Sequence, residues 1–295
     1  MAGGLAVLYR AISRRGAWYI SFVGALLLSA CASGVRIDNS YTSENQDSRA
    51  LFLVLHYTVG NFESALAMLT KPSSRAVSSH YLVRDEPVKT YRLVDENRRA
   101  WHAGPSYWRG YNNLNASSIG IEIVNPGWVR DADGSQRYIP FSAAQIDEVV
   151  ALCKDIVARH GIRPEHIIGH ADIAPGRKQD PGPLFPWKRL ADEGLIAWPD
   201  SSVVATRRPL HAAQLPGAAW FQEKLAEHGY NTSRSGEFDA LTRDSLVSFQ
   251  MKYRSARYDG LPDAETAALL DVVNSELGMV MTRPTTGTRP YTSRW

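Results

Sequence analysis

The chain is short of cysteine, with two in 295 residues, Cys31 and Cys153. Stability therefore has to come from a packed core rather than a disulfide framework, and the length allows one substantial domain with a small companion. An excess of charge is also lacking. The formal +3 comes from the first thirty residues, which carry Arg10, Arg14 and Arg15 and no lysine, aspartate or glutamate. Without them thirty basic residues face thirty acidic ones. Nothing in that balance suggests a nucleic-acid partner. Long apolar runs are missing too. "AWYISFVGALLLSA" (17–30) is too short to span a bilayer comfortably as a helix.

At the N-terminus there is instead an export pattern: arginines, that apolar run, then small residues before Cys31. "LSAC" resembles the bacterial lipobox. The resemblance implies a lipoprotein signal peptide over 1–30 and lipidation of Cys31 as the new N-terminus. With Ala32 next, rather than aspartate, it also implies the periplasmic face of the outer membrane. Residues 31–49 read as a polar tether, with few large apolar side chains and no periodicity. Cys153 lies on a helical stripe with Ile146, Val149, Val150, Ile156 and Val157. A capping-box pattern at Ser142 and Gln145 opens that helix, Gly161 stops it, and Cys153 reads as a buried core residue.

Residues 50–198 read as an α/β domain. Strands are expected at 51–57, 78–83, 90–94, 119–124 and 166–170, and helices near 61–70 and 142–160. Their interspersion argues for a central mixed β-sheet flanked by helices. Residues 199–216 mix proline with polar residues and read as a linker. A small all-helical domain is expected over 217–277, and it contains an echo. Gly236, Asp239 and Thr242 recur as Gly260, Asp263 and Thr266: a turn glycine, an N-cap aspartate and a first-turn threonine. With "FQEKLAEHGY" and "LVSFQ", this resembles the peptidoglycan-binding type 1 domain. The remainder, 278–295, is rich in Arg, Thr and Pro and reads as a disordered tail.

The stretch "GHADIAPGRKQDPGPLFPW" (169–187) fixes His170, Lys178 and Asp180 within eleven residues of turn-forming sequence. His56 ends the apolar run "LFLVLH", and Glu122 interrupts the apolar "IGIEIV". Zinc accepts imidazole and carboxylate, and a catalytic site keeps one position open beside three protein ligands. Two histidines and an aspartate fit that inventory, although His56 is more than a hundred residues from His170. A carboxylate on an apolar strand needs a partner, which either an ion pair with Lys178 or a proton-transfer role would supply.

"LVLHYT", "VSSHYLV", "AWHAG", "SIGIEI" and the 169–187 stretch occur in the order found in the zinc amidase type 2 family. That family includes bacterial N-acetylmuramoyl-L-alanine amidases and is related to animal peptidoglycan recognition proteins. The resemblance covers most of residues 50–190. It implies Zn2+ held by His56, His170 and Asp180, with Glu122 as acid–base and Lys178 stabilising developing charge. The implied reaction cleaves the amide between N-acetylmuramic acid and L-alanine in peptidoglycan or muropeptides. Arg177 is a candidate for a stem-peptide carboxylate. Trp101 and His102 are candidates for the cleft wall, with His80 and His102 also suited to orienting a ligand or to packing. The chain is expected to act as a monomer. A non-catalytic peptidoglycan receptor using the same cleft is the alternative function.

Overall fold

The protein is described here by a computed structural model covering residue 35 and residues 37–74, 76–275 and 277–282. The export signal, Cys31 and residues 283–295 lie outside the described residues. The chain divides into two units, 1–46 and 47–295. In the first, residues 37–46 are exposed and form no helix or strand. Every element below belongs to the second.

Five strands make the main sheet: β1 (Phe52–Tyr57), β2 (Tyr81–Arg84), β3 (Lys89–Arg92), β4 (Ser118–Ile123) and β5 (Ile167–Gly169). Their order is β3-β2-β4-β1-β5, parallel throughout except for the β2–β3 hairpin. All six residues of β1 are buried, as a central parallel strand requires, because both sheet faces must be covered. On one face Leu53, Leu55, Ile119, Ile121 and Ile123 pack with Ile146, Val149, Val150, Cys153 and Ile156 of α2 (Ala143–His160), which follows α1 (Phe62–Thr70). Cys153 is fully buried there, and burial pushes its thiol up to about 12. Ser142 caps α2 by accepting from the Gln145 amide, and Gly161 ends it at φ 66°. The Gln145 side chain does not return to the cap. It donates to the carbonyls of Val83 and Val124, joining α2 to the ends of two strands.

The opposite face carries Phe52, Val54 and Ile168, and the C-terminal helices cover it. After α3 (His170–Ile173) and α4 (Trp187–Asp192) come α5 (Ser201–Ala213), α6 (Ala218–His228), α7 (Ala240–Tyr253) and α8 (Ala264–Val273). Phe221, Leu225, Leu246, Phe249 and Leu270 join Phe52 and Val54 in one core. The echo expected from sequence is present. Asp239 accepts from Thr242 N and Asp263 from Thr266 N, with Gly236 and Gly260 at φ 78° and 70°. A further pair belongs to it: Gln222 and Gln250 each accept from their turn glycine and donate to their first-turn threonine.

Three expectations are corrected. The segment taken as a linker is mostly α5, capped by Asp200 and held by His211 and Arg207 facing Asp271 of α8. Pro209 does not break it: both Pro209 and Ala205, whose carbonyl it leaves unbonded, are exposed to water. The tail begins ordered, because Met279–Val280 pairs with Trp198–Pro199 and Gly278 accepts from the Asp200 amide. The tether is fastened before residue 50: Ser48 Oγ meets His160 Nδ1 at 2.6 Å, and Arg49 reaches the Ala116 carbonyl and His80 Nε2.

Candidate active site

His56 and Glu122 are register partners on β1 and β4, and side chains paired across parallel strands leave the same face. That face is opposite α2. Because β5 lies on the other side of β1, the turn after it delivers His170 at the first position of α3. The 174–182 loop then folds back: Arg177 and Lys178 amides bond the Ala174 carbonyl, and the Ala171 amide bonds the Asp180 carbonyl. Gly169 is required here, since a Cβ would come within 2.7 Å of Pro181 and 3.2 Å of Trp187. The rear of the motif anchors it, with Phe185 and Trp187 in the α2-side core.

The loop brings three distant groups together. His56 Nδ1 lies 2.9 Å from His170 Nδ1 and 2.9 Å from Asp180 Oδ2, and His170 Nδ1 lies 3.0 Å from the same oxygen. All three residues are buried. Their protonation follows from their other contacts. His170 Nε2 faces the Ala103 carbonyl at 3.0 Å, which only accepts, so this nitrogen carries a hydrogen and Nδ1 is turned to His56 and Asp180. The His56 tautomer is fixed through a chain. Ser118 Oγ donates to the Leu114 carbonyl, so it accepts from His102 Nε2 at 3.1 Å. His102 Nδ1 is then an acceptor for His56 Nε2–H at 3.0 Å, leaving His56 Nδ1 with a lone pair. Burial holds His102 well below the usual imidazole range, and burial with the neighbouring His170 lowers His56 to about 4. Burial opposes ionisation of Asp180, but His170 beside it outweighs burial and holds its carboxyl far below the usual range.

Two imidazole nitrogens and a carboxylate oxygen thus converge on one point, where a cation could replace the hydrogen they share. A tetrahedral ion with bonds of about 2.0–2.1 Å spaces its ligand atoms about 3.3 Å apart, a few tenths of an ångström beyond the triangle present. Both imidazoles donate their outer N–H, the arrangement that orients histidine toward a metal.

Glu122 borders this triangle. It is buried, and its Oε2 has no hydrogen-bond partner. Burial and then the Asp180 charge push its carboxyl well above the usual range, while Lys178 pulls the other way. Lys178 is half-buried on the loop, and its charge bears on both Glu122 and His56. Arg177 is exposed, with Nη2 donating to the Ala103 and Pro105 carbonyls. Trp101 is 43% exposed, with the Arg99 guanidinium 4.0 Å above its ring. His102 does not reach the cleft surface, because both its ring nitrogens are engaged behind His56. A Cβ on Gly120 would lie 2.5 Å from the His102 ring, so that glycine makes its room. His80 latches backbone, accepting from the Gly120 amide and facing the Arg98 carbonyl. Sequence reasoning missed Ser118, Asn115, which receives the His102 and Ala103 amides, and Asp172. A signal existed for Asp172, which stands at the third helical position after Gly169 as a capping acid.

The family described as "N-acetylmuramoyl-L-alanine amidase" matches residues 46–183, and "Putative peptidoglycan binding domain" matches 214–270. The N-acetylmuramoyl-L-alanine amidase AmiD of Escherichia coli (strain K12) is 41% identical over 283 residues, 90% of this chain and 99% of AmiD. A solved complex of E. coli AmiD with anhydro-N-acetylmuramic acid-L-Ala-D-gamma-Glu-L-Lys is similar at TM-score 0.71 and 41% identity, over 81% of this chain and 93% of that one. AmpDh3 from Pseudomonas aeruginosa is similar at TM-score 0.73 and 38% identity, over 81% of this chain and 98% of AmpDh3. With this catalytic geometry and this extent of likeness, the chain belongs to the N-acetylmuramoyl-L-alanine amidase family.

Proposed function

We propose that this amidase is zinc-dependent and hydrolyses the bond between N-acetylmuramic acid and L-alanine in muropeptides and peptidoglycan. The observation that carries the reading is the convergence of His56 Nδ1, His170 Nδ1 and Asp180 Oδ2 beside a buried carboxyl with a free oxygen. The set suits zinc, which binds imidazole and carboxylate and keeps a position open for catalysis. When bound there, the ion supplies Lewis acidity that activates water and polarises the scissile carbonyl.

The remaining work falls to the chain. Glu122, raised in pKa and unpartnered, accepts a proton from the attacking water and passes it to the departing alanine nitrogen. Lys178, whose charge bears on Glu122 and His56, stabilises negative charge as the carbonyl carbon becomes tetrahedral, an interaction strongest at the transition state. Arg177 and Trp101 stand exposed on the rim and are the residues offered to the stem peptide. Support for the substrate class comes from the relatives, whose solved complexes hold an anhydromuramyl tripeptide in AmiD and an anhydromuramic pentapeptide in AmpDh3. Cys31, lipidated after export, would hold the enzyme on the periplasmic face of the outer membrane.

A non-catalytic receptor would need no proton shuttle, and Glu122 beside the triangle favours the hydrolase. The test is His170→Ala, assayed together for zinc content and muropeptide cleavage. Both are expected to fall to background, whereas turnover retained without the metal would overturn the mechanism.

A further inference from the structure

The C-terminal helices touch the back of the loop that carries His170, Lys178 and Asp180. Along α7, Asp244, Ser248, Met251 and Lys252 recur at helical spacing on one face. That face lies against the loop. A Cβ on Gly176 would fall 2.1 Å from the Asp244 carboxylate. Ser248 and Met251 border the same crevice as Gln179 and Pro181. Lys252 goes deepest, its ammonium 3.2 Å from Asp172 Oδ2 and 4.3 Å from the centre of the Trp187 ring. Tyr230, just after α6, donates to the other Asp172 oxygen at 2.7 Å.

Asp172 connects these contacts to the site. It sits two residues beyond His170 in the same helical turn, and its Oδ2 accepts from the Gly169 amide at 2.9 Å. The peptide leading into His170 is therefore oriented by Asp172, and Asp172 is oriented by two side chains from the helical region. Trp187 works from the other end of the loop, packing against Gly169 close to Pro181, the residue after Asp180. Lys252 thus lies between the two supports of the loop. Side-chain exposures of 6% for Lys252 and 3% for Asp172 mark the pair as buried. Such pairs contribute little net stability against an apolar replacement, while loss of one partner leaves the other charge buried and unpaired, so the two side chains hold each other in place.

We propose that Lys252 and Tyr230 are positioning residues for the amidase centre, holding His170 and the Asp180 loop so that the metal triangle closes. This rests on the zinc reading above and extends it: the helices matched to a peptidoglycan-binding domain would also act as a brace for catalysis.

The test uses the full chain with Lys252→Met, Lys252→Arg and Tyr230→Phe. Zinc affinity is measured by competition with a chromophoric chelator, Tm on the metal-free protein, and kcat and KM on a muramyl tripeptide. Lys252→Met is expected to weaken zinc binding about 10-fold or more, the scale seen when outer-shell support is lost. Its kcat should fall with KM held, and Lys252→Arg should restore part of both. Tyr230→Phe, which removes one hydroxyl and leaves packing intact, should show the same pattern more weakly and decides the matter if Lys252→Met does not fold. Wild-type zinc affinity and kcat in Tyr230→Phe and Lys252→Met, whatever their Tm, would overturn the proposal. A wild-type chain that bound no zinc would fail at the earlier step, taking the zinc reading down with it.

Discussion

Glu122 differs from an ordinary active-site carboxylate in its surroundings rather than its chemistry. It occupies a strand whose other members are a serine, a glycine and three isoleucines, and burial favours its protonated form. A group held in that way exchanges a proton with water or an amine at little cost. Glu122→Gln keeps the shape and removes the exchange. The expected result is a fall in kcat of about 10²- to 10⁴-fold with zinc content and KM nearly unchanged, measured by stopped assays on muropeptide. At this scale the candidate groups were legible, since His56, His170, Asp180, Glu122 and Lys178 stand in recognisable motifs, and the structure brings the first three together. The residues behind them were not. Ser118 acts only because its hydroxyl is committed to the Leu114 carbonyl, and His102 only because Gly120 leaves space for its ring. Neither commitment has a local pattern.

Glu96 shows what joins elements. From the loop after β3 it accepts from Tyr81 on β2 and contacts Arg159 and His160 at the end of α2. Burial opposes its ionisation, but Arg159, His160 and Tyr81 outweigh it and lower the carboxyl to about 2. The sign follows from that direction. A depressed folded-state pKa contributes stability above the ordinary carboxylate value, and the contribution is lost as pH falls from there through about 2. Glu96→Gln should therefore lower Tm by several degrees at neutral pH, with the gap to wild type narrowing in acid. Thermal melts across that range check it, and a gap independent of pH would contradict it. Five strands and two helices appeared within a few residues of their expected places, because each has a clear apolar period. The helix Ser201–Ala213 did not, because its sequence is half polar and its stability comes from packing on α8.

For the whole molecule, the two regions expected from sequence, matched over 46–183 and 214–270, share one core in which Phe221, Leu225 and Phe249 meet Phe52 and Val54. A signal for this was present in "LFLVLH": a strand apolar at nearly every position needs cover on both sides, and α2 supplies only one. The partner for the second face lies over a hundred residues away, beyond any local pattern. Among the described residues no helix is long and apolar enough to cross a membrane, and the attachment proposed above runs through Cys31. Cys31→Ala should move the enzyme from the membrane to the soluble fraction of fractionated cells while activity per molecule stays unchanged. Persistent sedimentation with membranes would refute lipid anchoring.

The candidate centre rests on two kinds of support. His56 and Glu122 ride on adjacent central strands locked by a hydrogen-bond ladder, whereas Lys178 and Asp180 hang from a turn-rich loop. The loop is held from behind by buried Asp172 and Trp187, so both halves of the candidate centre are fixed before a substrate arrives. Discrimination among substrates would then fall to the exposed rim at Arg177 and Trp101, where side chains meet solvent and can adapt to what binds.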